Sequence, residues 1–533
     1  MITTRTDSIA IKRIAAIDLG TNSFHVIIVD IYSDGSFRRI EDLKEMVELA
    51  KGGLGKRLAE DAFARGIEAL KKIKVLCDSY SVDKILAYAT SAIREAENGG
   101  EFVQAAIDEA DIKVNAIPGK MEAELIGYAV QHGIKLDKTP VLMVDIGGGS
   151  VEFILANATQ FFFTVSKKIG VSRMTDIFNP ADPITNANIE ELEKHYGEEL
   201  TEIAESAKGY SFDTVVGSSG TMQCIGSMVA ARKELPVNVT LNELTFSATD
   251  FYEFYEHFIG LDEEERTKVP GMDAKRLRFI NTGVVLVGFL LKKFNIKQIK
   301  ISTQALREGI IIRYLHKEMI GLPWSGEFAD PRKRSVFELL RKCNWHEAHS
   351  RHVAKLSLII FDELKPLLKL TKEDRELLEL ASYMHDIGYL ISHSSHHKHA
   401  LYLIKNAELK GFRQEEIEIM AHVARYHRRS EPKKSHADFM SLSEDLQTRI
   451  KKLAAILRVG DGLDRSHYQN VQDLRVDVFK DEIRLLITTT AEPNLEIWGA
   501  QRKAHLLEEL TGRKITIERF SEKNKKSAWK DLI

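Results

Sequence analysis

Two short segments of this chain share one design. Asp18-Leu19-Gly20-Thr21-Asn22-Ser23-Phe24 follows the apolar run Ile14 to Ile17 and precedes the run Val26 to Val29. Asp145-Ile146-Gly147-Gly148-Gly149-Ser150-Val151-Glu152 follows Val141 to Val144 and precedes Phe153 to Ala156. Each reads as a strand, a tight turn of small residues opened by a carboxylate, and a second strand. Small turn residues let backbone N–H groups approach an anion closely. The opening Asp, Asp18 or Asp145, can hold a hard divalent cation. Two such hairpins predict two lobes facing each other across a phosphate site.

A chain of 533 residues is too long for one core, and three or four domains are expected. With 44% hydrophobic and 29% charged residues it reads as a soluble globular protein. The net charge of −3 advertises no polyanion partner, so any such site is local and no specific nucleic-acid partner is expected. Cys77, Cys224 and Cys343 are odd in number and far apart, which fits a reducing, cytoplasmic setting. Met1 to Arg13 lacks the apolar stretch of a signal peptide, and no run reaches membrane-spanning length, so no membrane partner is expected.

The pattern predicts an α/β architecture first. Residues 14–31 read as a hairpin. Phe37 to Leu49 reads as a strand entering a Gly-rich loop at Lys51 to Gly55, and Glu60 to Asp78 as a helix. Lys84 to Ala89 and Ile112 to Ile117 read as strands, and Met121 to Gln131 as a helix after Pro118-Gly119. This lobe takes residues 1–134. A second, at 135–315, has strands near 140–146, 151–156, 160–166, Thr214 to Gly217 and Gln298 to Ser302, and closes with a helix from Ala305 to Leu315. Pro323, Gly326 and Pro331 punctuate a linker at 316–332. Residues 333–470 carry helical stripes only, such as Val353, Leu356, Ile360 and Leu364. Residues 471–533 read as a small α+β domain, with strands at Leu474 to Phe479, Glu482 to Thr488 and Lys514 to Glu518 and one helix at Gln501 to Leu510.

Four loops in the first two lobes suit a phosphate. Besides the two hairpin turns, Gly217-Ser218-Ser219-Gly220-Thr221 follows a strand and opens a helix, which is anion-binding geometry. Ala89-Thr90-Ser91-Ala92-Ile93-Arg94 places a guanidinium that can clamp a phosphate bidentately. Four such turns after strands exceed what steric need for small residues explains. Gly119-Lys120-Met121-Glu122-Ala123-Glu124 opens a helix, where Glu122 and Glu124 point about 200° apart, so only one can face a shared cleft. Compensation of the helix dipole is the competing role for either.

Together, Asp18–Ser23, Ala92–Arg94, Gly119–Ala123, Asp145–Glu152, Gly217–Thr221 and Ala305-Leu306-Arg307-Glu308-Gly309 resemble the exopolyphosphatase / guanosine pentaphosphate phosphatase family. The match runs in order over roughly residues 12–315. That resemblance implies two actin-like, ribonuclease-H-like lobes of the superfamily of actin, sugar kinases and chaperone ATPases. It implies that Glu122 is the catalytic base and that Asp145 and Glu152 bind Mg²⁺ or Mn²⁺. The family usually has a Glu where this chain has Met121, and a carboxylate near where it has Arg278. The chemistry suits the residues: phosphoanhydride hydrolysis needs a placed water and charge neutralisation. Glu122 would activate the water. Amides at Gly147, Gly148, Gly149, Ser150, Ser219, Gly220 and Thr221, with Arg94, would hold phosphate oxygens, and Asn22 and Ser23 would bind from the other lobe.

Eleven of the 18 histidines lie between His346 and His436. A metal site is the usual reason to gather them. His349, then His385-Asp386, then Asp461 resemble the four-ligand order of the HD metal-phosphohydrolase superfamily. That resemblance implies an all-helical HD-like domain with a possible second divalent metal. His399 and His427 lie where some HD proteins recruit a further ion, with His396 and His397 competing for the first place. The domain reads either as a competent metal site, a second phosphohydrolase, or as a helical scaffold that binds the polyanion or a dimer partner; the resemblance to long exopolyphosphatases, which carry such a domain beside the main site, favours the scaffold for catalysis. Arg425-Tyr426-His427-Arg428-Arg429, with Lys433 and Lys434, is the most basic stretch and can guide a long phosphate chain.

The reading is an exopolyphosphatase releasing terminal orthophosphate from inorganic polyphosphate. The runner-up is the same chemistry on guanosine pentaphosphate, in the stringent response. A nucleotide switch or kinase would need a purine pocket, and the placement of Glu122 argues against it. A non-catalytic sensor of polyphosphate or of guanosine tetra- and pentaphosphate would bind without releasing phosphate. Long members of the family tend to form dimers, so a homodimer is expected.

Overall fold

A computed structural model describes residues 10–32, 35–49, 56–235, 240–318 and 330–520 of the chain. The Gly-rich loop at 51–55 and the linker residues Pro323 and Gly326 lie outside the described residues. The chain forms two compact units, Met1–Arg334 and Ser335–Ile533.

The first unit holds two mixed sheets. One comprises β1 (Lys12–Leu19), β2 (Ser23–Ile31), β3 (Phe37–Met46), β4 (Lys84–Ala89) and β5 (Val114–Ala116). The other comprises β6 (Val141–Ile146), β7 (Val151–Ala156), β8 (Phe161–Lys167), β9 (Thr214–Ser218), β10 (Thr245–Ser247) and β11 (Gln298–Ile301). Their orders are β3-β2-β1-β4-β5 and β10-β11-β9-β6-β7-β8. In each, three strands meander antiparallel and two later strands join parallel to the first. The connectivity is the same in both lobes except for the edge strand β10, which the sequence reading omitted.

Strand alternation divides the cores. Ala15, Ile17 and Leu19 face the core under helices Glu60–Ser79 and Gly99–Ala110, whereas Ile14 and Ala16 face the opposite way. In the second lobe Leu142, Val144 and Ile146 serve one core and Met143 the other. The second faces of both sheets share a core with helices Gly119–Gly133 and Leu306–Glu318. These two helices cross at backbone distance: a Cβ on Gly309 would stand 1.9 Å from the carbonyl oxygen of Leu125. Central strands β1, β6 and β9 thus end at Leu19, Ile146 and Ser218, so Asp18, Asp145 and Ser219 sit at their carboxyl ends, where open α/β sheets bind ligands.

In the second unit, helices Glu347–Leu368, Lys372–Met384, His396–Lys405, Gln414–Arg425 and Glu444–Gly462 precede a three-stranded sheet. That sheet is β12 (Val471–Val478), β13 (Glu482–Thr489) and β14 (Lys514–Arg519), in that order. Two helices, Asn494–Gln501 and His505–Thr511, replace the single one expected there, and the break between them contains Lys503. Among the described residues no helix is long and apolar enough to cross a membrane.

Candidate active site

Both Asp-opened turns close with the same bond: Gly20 N–H donates to the Ser23 carbonyl at 3.1 Å and Gly147 N–H to that of Ser150 at 3.0 Å. The two turns meet. Thr21 and Ser91 hydroxyls lie 3.1 Å apart, and the Asn22 amide donates to Ser172 Oγ at 3.2 Å. A Cβ on Gly149 would stand 2.2 Å from Ser91 Oγ, so only glycine permits this approach.

A cavity of about 300 Å³ opens where they meet. Asp18, Asn22, Ser23, Glu122, Asp145, Gly147, Gly148, Gly149, Ser150, Glu152, Ser219 and Gly220 all line it. Register explains the carboxylates: Asp145 stands opposite Glu152 across β6 and β7 and beside Ser218 on β9. Ser218 Oγ donates to Asp145 Oδ2, and Ser166 Oγ donates to Glu152 Oε1 at 2.8 Å. Glu122 enters from the first turn of helix Gly119–Gly133.

Burial dominates the electrostatics. It pushes Asp18 up to about 7, with the charge of Glu122 adding to it. It pushes Glu122 up to about 7 against the pull of Arg94. Asp145 rises to about 6, opposed by the Ser218 hydrogen bond. Glu152 rises well above the carboxylate range through burial and the charges of Glu122 and Asp145. Asp18 Oδ1 is buried without a hydrogen-bond partner. Among the described residues, no three ligand oxygens of this set come within 4.8 Å of one another. The donor set still fits Mg²⁺, which keeps several waters and takes one or two carboxylates together with substrate phosphate oxygens.

Two residues expected at the phosphate are absent from the cavity lining. Arg94 does not line the cavity; its guanidinium donates to Glu122 Oε2 at 2.8 Å and to the Ile117 carbonyl at 3.0 Å, because a buried carboxylate faces it. The Thr221 side chain is buried, and its hydroxyl accepts from Arg276 Nη1 at 3.3 Å. Cations not singled out from sequence take the cavity positions: Lys44, Arg276 and Arg307, with His25 and Gln223. Arg307 was readable as part of a motif; the others are lone residues on strands and turns. Arg307 Nη1 lies 2.6 Å from His25 Nε2, which lies 2.6 Å from Asp42 Oδ1. Burial would raise Asp42, but His25 and Arg307 outweigh it and hold it at about 2. Arg278 pairs with Asp176 at 2.9 Å and is exposed.

The second unit gathers its own cluster. His349 Nε2 lies 3.7 Å from both Asp386 Oδ2 and Asp461 Oδ1, and His385 Nε2 lies 3.3 Å from Asp386 Oδ2. On the other carboxylate oxygen, His396 Nε2 and His427 Nε2 lie 3.1 and 3.6 Å from Asp386 Oδ1. Asp386 thus stands between two groups of histidines. Each ring is anchored through Nδ1: His349 to Asp464 Oδ2 at 2.8 Å, His385 to the Ser382 carbonyl at 2.7 Å, His427 to that of Ala424 at 2.7 Å and His396 to that of His393 at 3.1 Å. This is how metal-binding imidazoles are oriented. The Nε2 atoms of His349 and His385 are buried without hydrogen-bond partners. His396 takes the place expected for His399. Ser395 has a left-handed backbone, φ 59°, and starts the helix so that His396 turns inward. His399, about 60° off that direction, stays half-exposed. Of the basic stretch, Arg428 Nη1 turns to His396 Nε2 at 3.2 Å.

The family model of the Ppx/GppA phosphatase family matches residues 27–318, and that of Ppx/GppA phosphatase domain III matches residues 332–498. The crystal structure of an exopolyphosphatase from Cytophaga hutchinsonii is similar at 29% identity and a TM-score of 0.54, covering 58% of this chain and 99% of that one. The Aquifex aeolicus member of the Ppx/GppA family is similar at 27% identity and a TM-score of 0.50, covering 58% and 98%. With its two lobes of one connectivity, a phosphate-sized cleft between them and a family match over more than half its length, the chain belongs to the Ppx/GppA phosphatase family.

Proposed function

We propose that this phosphatase is an exopolyphosphatase that hydrolyses the terminal phosphoanhydride of inorganic polyphosphate. The observation that carries the reading is one cavity lined by Glu122, both Asp-opened turns and the cations Lys44, Arg276 and Arg307. Amides of Gly147 to Ser150 and of Gly220, with Asn22 and Ser23, hold the terminal phosphoryl oxygens. Glu122 orients a water and takes its proton as the water oxygen attacks phosphorus. The bridging P–O bond breaks, and the shortened chain leaves with that oxygen. Mg²⁺ or Mn²⁺ bound by Asp145 and Glu152, with Asp18 facing them, would supply charge that offsets the phosphoryl oxygens. Arg94 steadies the Glu122 carboxylate, and the three cations meet phosphates behind the terminal one.

The same chemistry on guanosine pentaphosphate is less well supported, since no Phe, Tyr or Trp lines the cavity among the described residues to stack a guanine. Similarity to the Cytophaga hutchinsonii exopolyphosphatase points the same way. Comparing kcat/KM for long-chain polyphosphate and guanosine pentaphosphate tests the assignment. A preference for the nucleotide overturns it, and binding without phosphate release turns the protein into a sensor.

A second reading concerns the helical unit. We infer that it is HD-like and holds divalent metal at His349, His385, Asp386 and Asp461, with His396 and His427 serving a second ion across Asp386. The anchored imidazoles with free, buried Nε2 atoms support this.

A further inference from the structure

Two successive side chains of the first lobe point to different partners. The short helix Ser91–Arg94 ends at Glu95. Arg94 turns to Glu122 in its own lobe, whereas Glu95 Oε2 turns to the second lobe. There it accepts from Arg173 Nη2 at 3.0 Å and pairs with Lys168 Nζ at 3.0 Å. Arg173, on helix Val171–Phe178, also holds the Gly-rich turn. Its Nε donates to the Gly149 carbonyl at 2.8 Å, and its backbone N–H donates to the Gly148 carbonyl at 3.1 Å. A peptide unit is planar and trans, so the N–H groups of Gly149 and Ser150 point the opposite way from those carbonyls. Both residues line the cavity. The other oxygen of Glu95, Oε1, is buried, accepts no hydrogen bond and lies 3.9 Å from Arg94 Nη2. A line of alternating charge therefore runs from Glu122 through Arg94, Glu95 and Arg173 to the phosphate turn. The Glu95 and Arg173 side chains are only 9% and 11% exposed, so salt and solvent screen their pairing little. Lys168 is 69% exposed and adds little to it.

We propose that Glu95 is a positioning residue for the hydrolysis: by bridging Arg94 and Arg173 it sets where Glu122, on the first lobe, stands relative to a phosphoryl group held by the turn of the second. This rests on the exopolyphosphatase reading above, with Glu122 as the base. Glu95 and Arg173 do not line the cavity, so they act through Glu122 and the turn and not on the substrate. Attack needs the water and the phosphorus aligned, and a misplacement of about 1 Å costs on the order of a hundredfold. The grip on the chain stays with the turn amides and with Lys44, Arg276 and Arg307. Losing Glu95 therefore slows the chemical step without loosening the substrate.

The test measures kcat and KM on long-chain polyphosphate with Mg²⁺ for the full-length wild type, Glu95→Gln, Arg173→Met, Glu122→Gln and the double variant Glu95→Gln/Glu122→Gln. Glu95→Gln keeps the size of the side chain and removes its charge. Arg173→Met breaks the same contact from the other lobe, so one poorly folded variant does not hide the result. The Glu95 charge also raises Glu122, so rates are compared above the acid limb of the pH profile, where that shift has no effect. Glu95→Gln and Arg173→Met are each expected to lower kcat about tenfold with KM changed by less than about twofold. The double variant is expected to match Glu122→Gln alone, because a residue acting through Glu122 adds nothing once the base is gone. A raised KM with unchanged kcat would assign the pair to phosphate binding and overturn the proposal. A full further loss in the double variant would make Glu95 independent of Glu122 and overturn it too. Wild-type kcat in both Glu95→Gln and Arg173→Met, with Glu122→Gln inactive, defeats the positioning role alone. Undiminished activity in Glu122→Gln defeats the underlying reading itself.

Discussion

The Arg94 guanidinium donates to the Glu122 carboxylate across 2.8 Å, and of the two only Glu122 lines the cavity. The pair couples the proposed base to a fixed positive charge. Without it, burial alone would hold Glu122 protonated to higher pH.

Replacing Arg94 by Ala is therefore expected to move the acid limb of the pH–rate profile to higher pH and to lower kcat/KM at pH 7. The sign follows from Glu122: losing the cation raises a pKa already near 7, so less of the base is ionised. Steady-state rates from pH 5.5 to 9 check it; an unmoved acid limb with reduced rate would assign Arg94 to phosphate binding.

Metal binding is expected to strengthen with pH. In the metal-free protein Asp18 and Glu122 sit near 7 and Asp145 near 6, so protons occupy the cavity at pH 6. These raised groups stabilise the metal-free fold below their unfolded pKa values, and that stability is lost as pH rises through 6 to 7. Mg²⁺ replaces the protons, so the increase in Tm on adding Mg²⁺ should grow from pH 5.5 to 8. A constant increase across that range would contradict the site.

Lys44→Ala or Arg276→Ala should raise KM by about tenfold, since each removes one charge-assisted phosphate contact. The effect should be larger on long-chain polyphosphate than on tripolyphosphate if these cations meet phosphates behind the terminal one. Paired KM measurements at two chain lengths decide it.

Gly309→Ala should destabilise the protein by about 1–3 kcal/mol, because the new methyl meets the Leu125 carbonyl where two helices cross. Thermal denaturation checks this. A variant as stable as wild type would show that the helices separate at little cost.

The two Asp-opened turns were legible because their residues are contiguous and bracketed by apolar strands; twelve of the thirteen expected residues on the two hairpin turns, the Ser219 turn and Glu122 line the cavity, with Asp18 and Glu152 among them. Thr221 is the one that turns away. The cations were not legible. Lys44 stands opposite His25 on the edge strand β3, where a lone lysine reads as solvent-facing, and Arg276 sits in a short turn with no motif of its own. The pairing of Arg94 with Glu122 was not legible either, because the two are 28 residues apart in sequence. His396 displaced His399 because a left-handed serine, which no local pattern signals, sets where that helix begins.

The most direct measurement is phosphate release from long-chain polyphosphate with Mg²⁺ by wild type and by Glu122→Gln, with polyphosphate binding followed in parallel. Glu122→Gln is expected to lose at least about a hundredfold in kcat while still binding the chain. Activity that survives in Glu122→Gln and disappears in Asp386→Ala would place the chemistry in the helical unit and contradict the account.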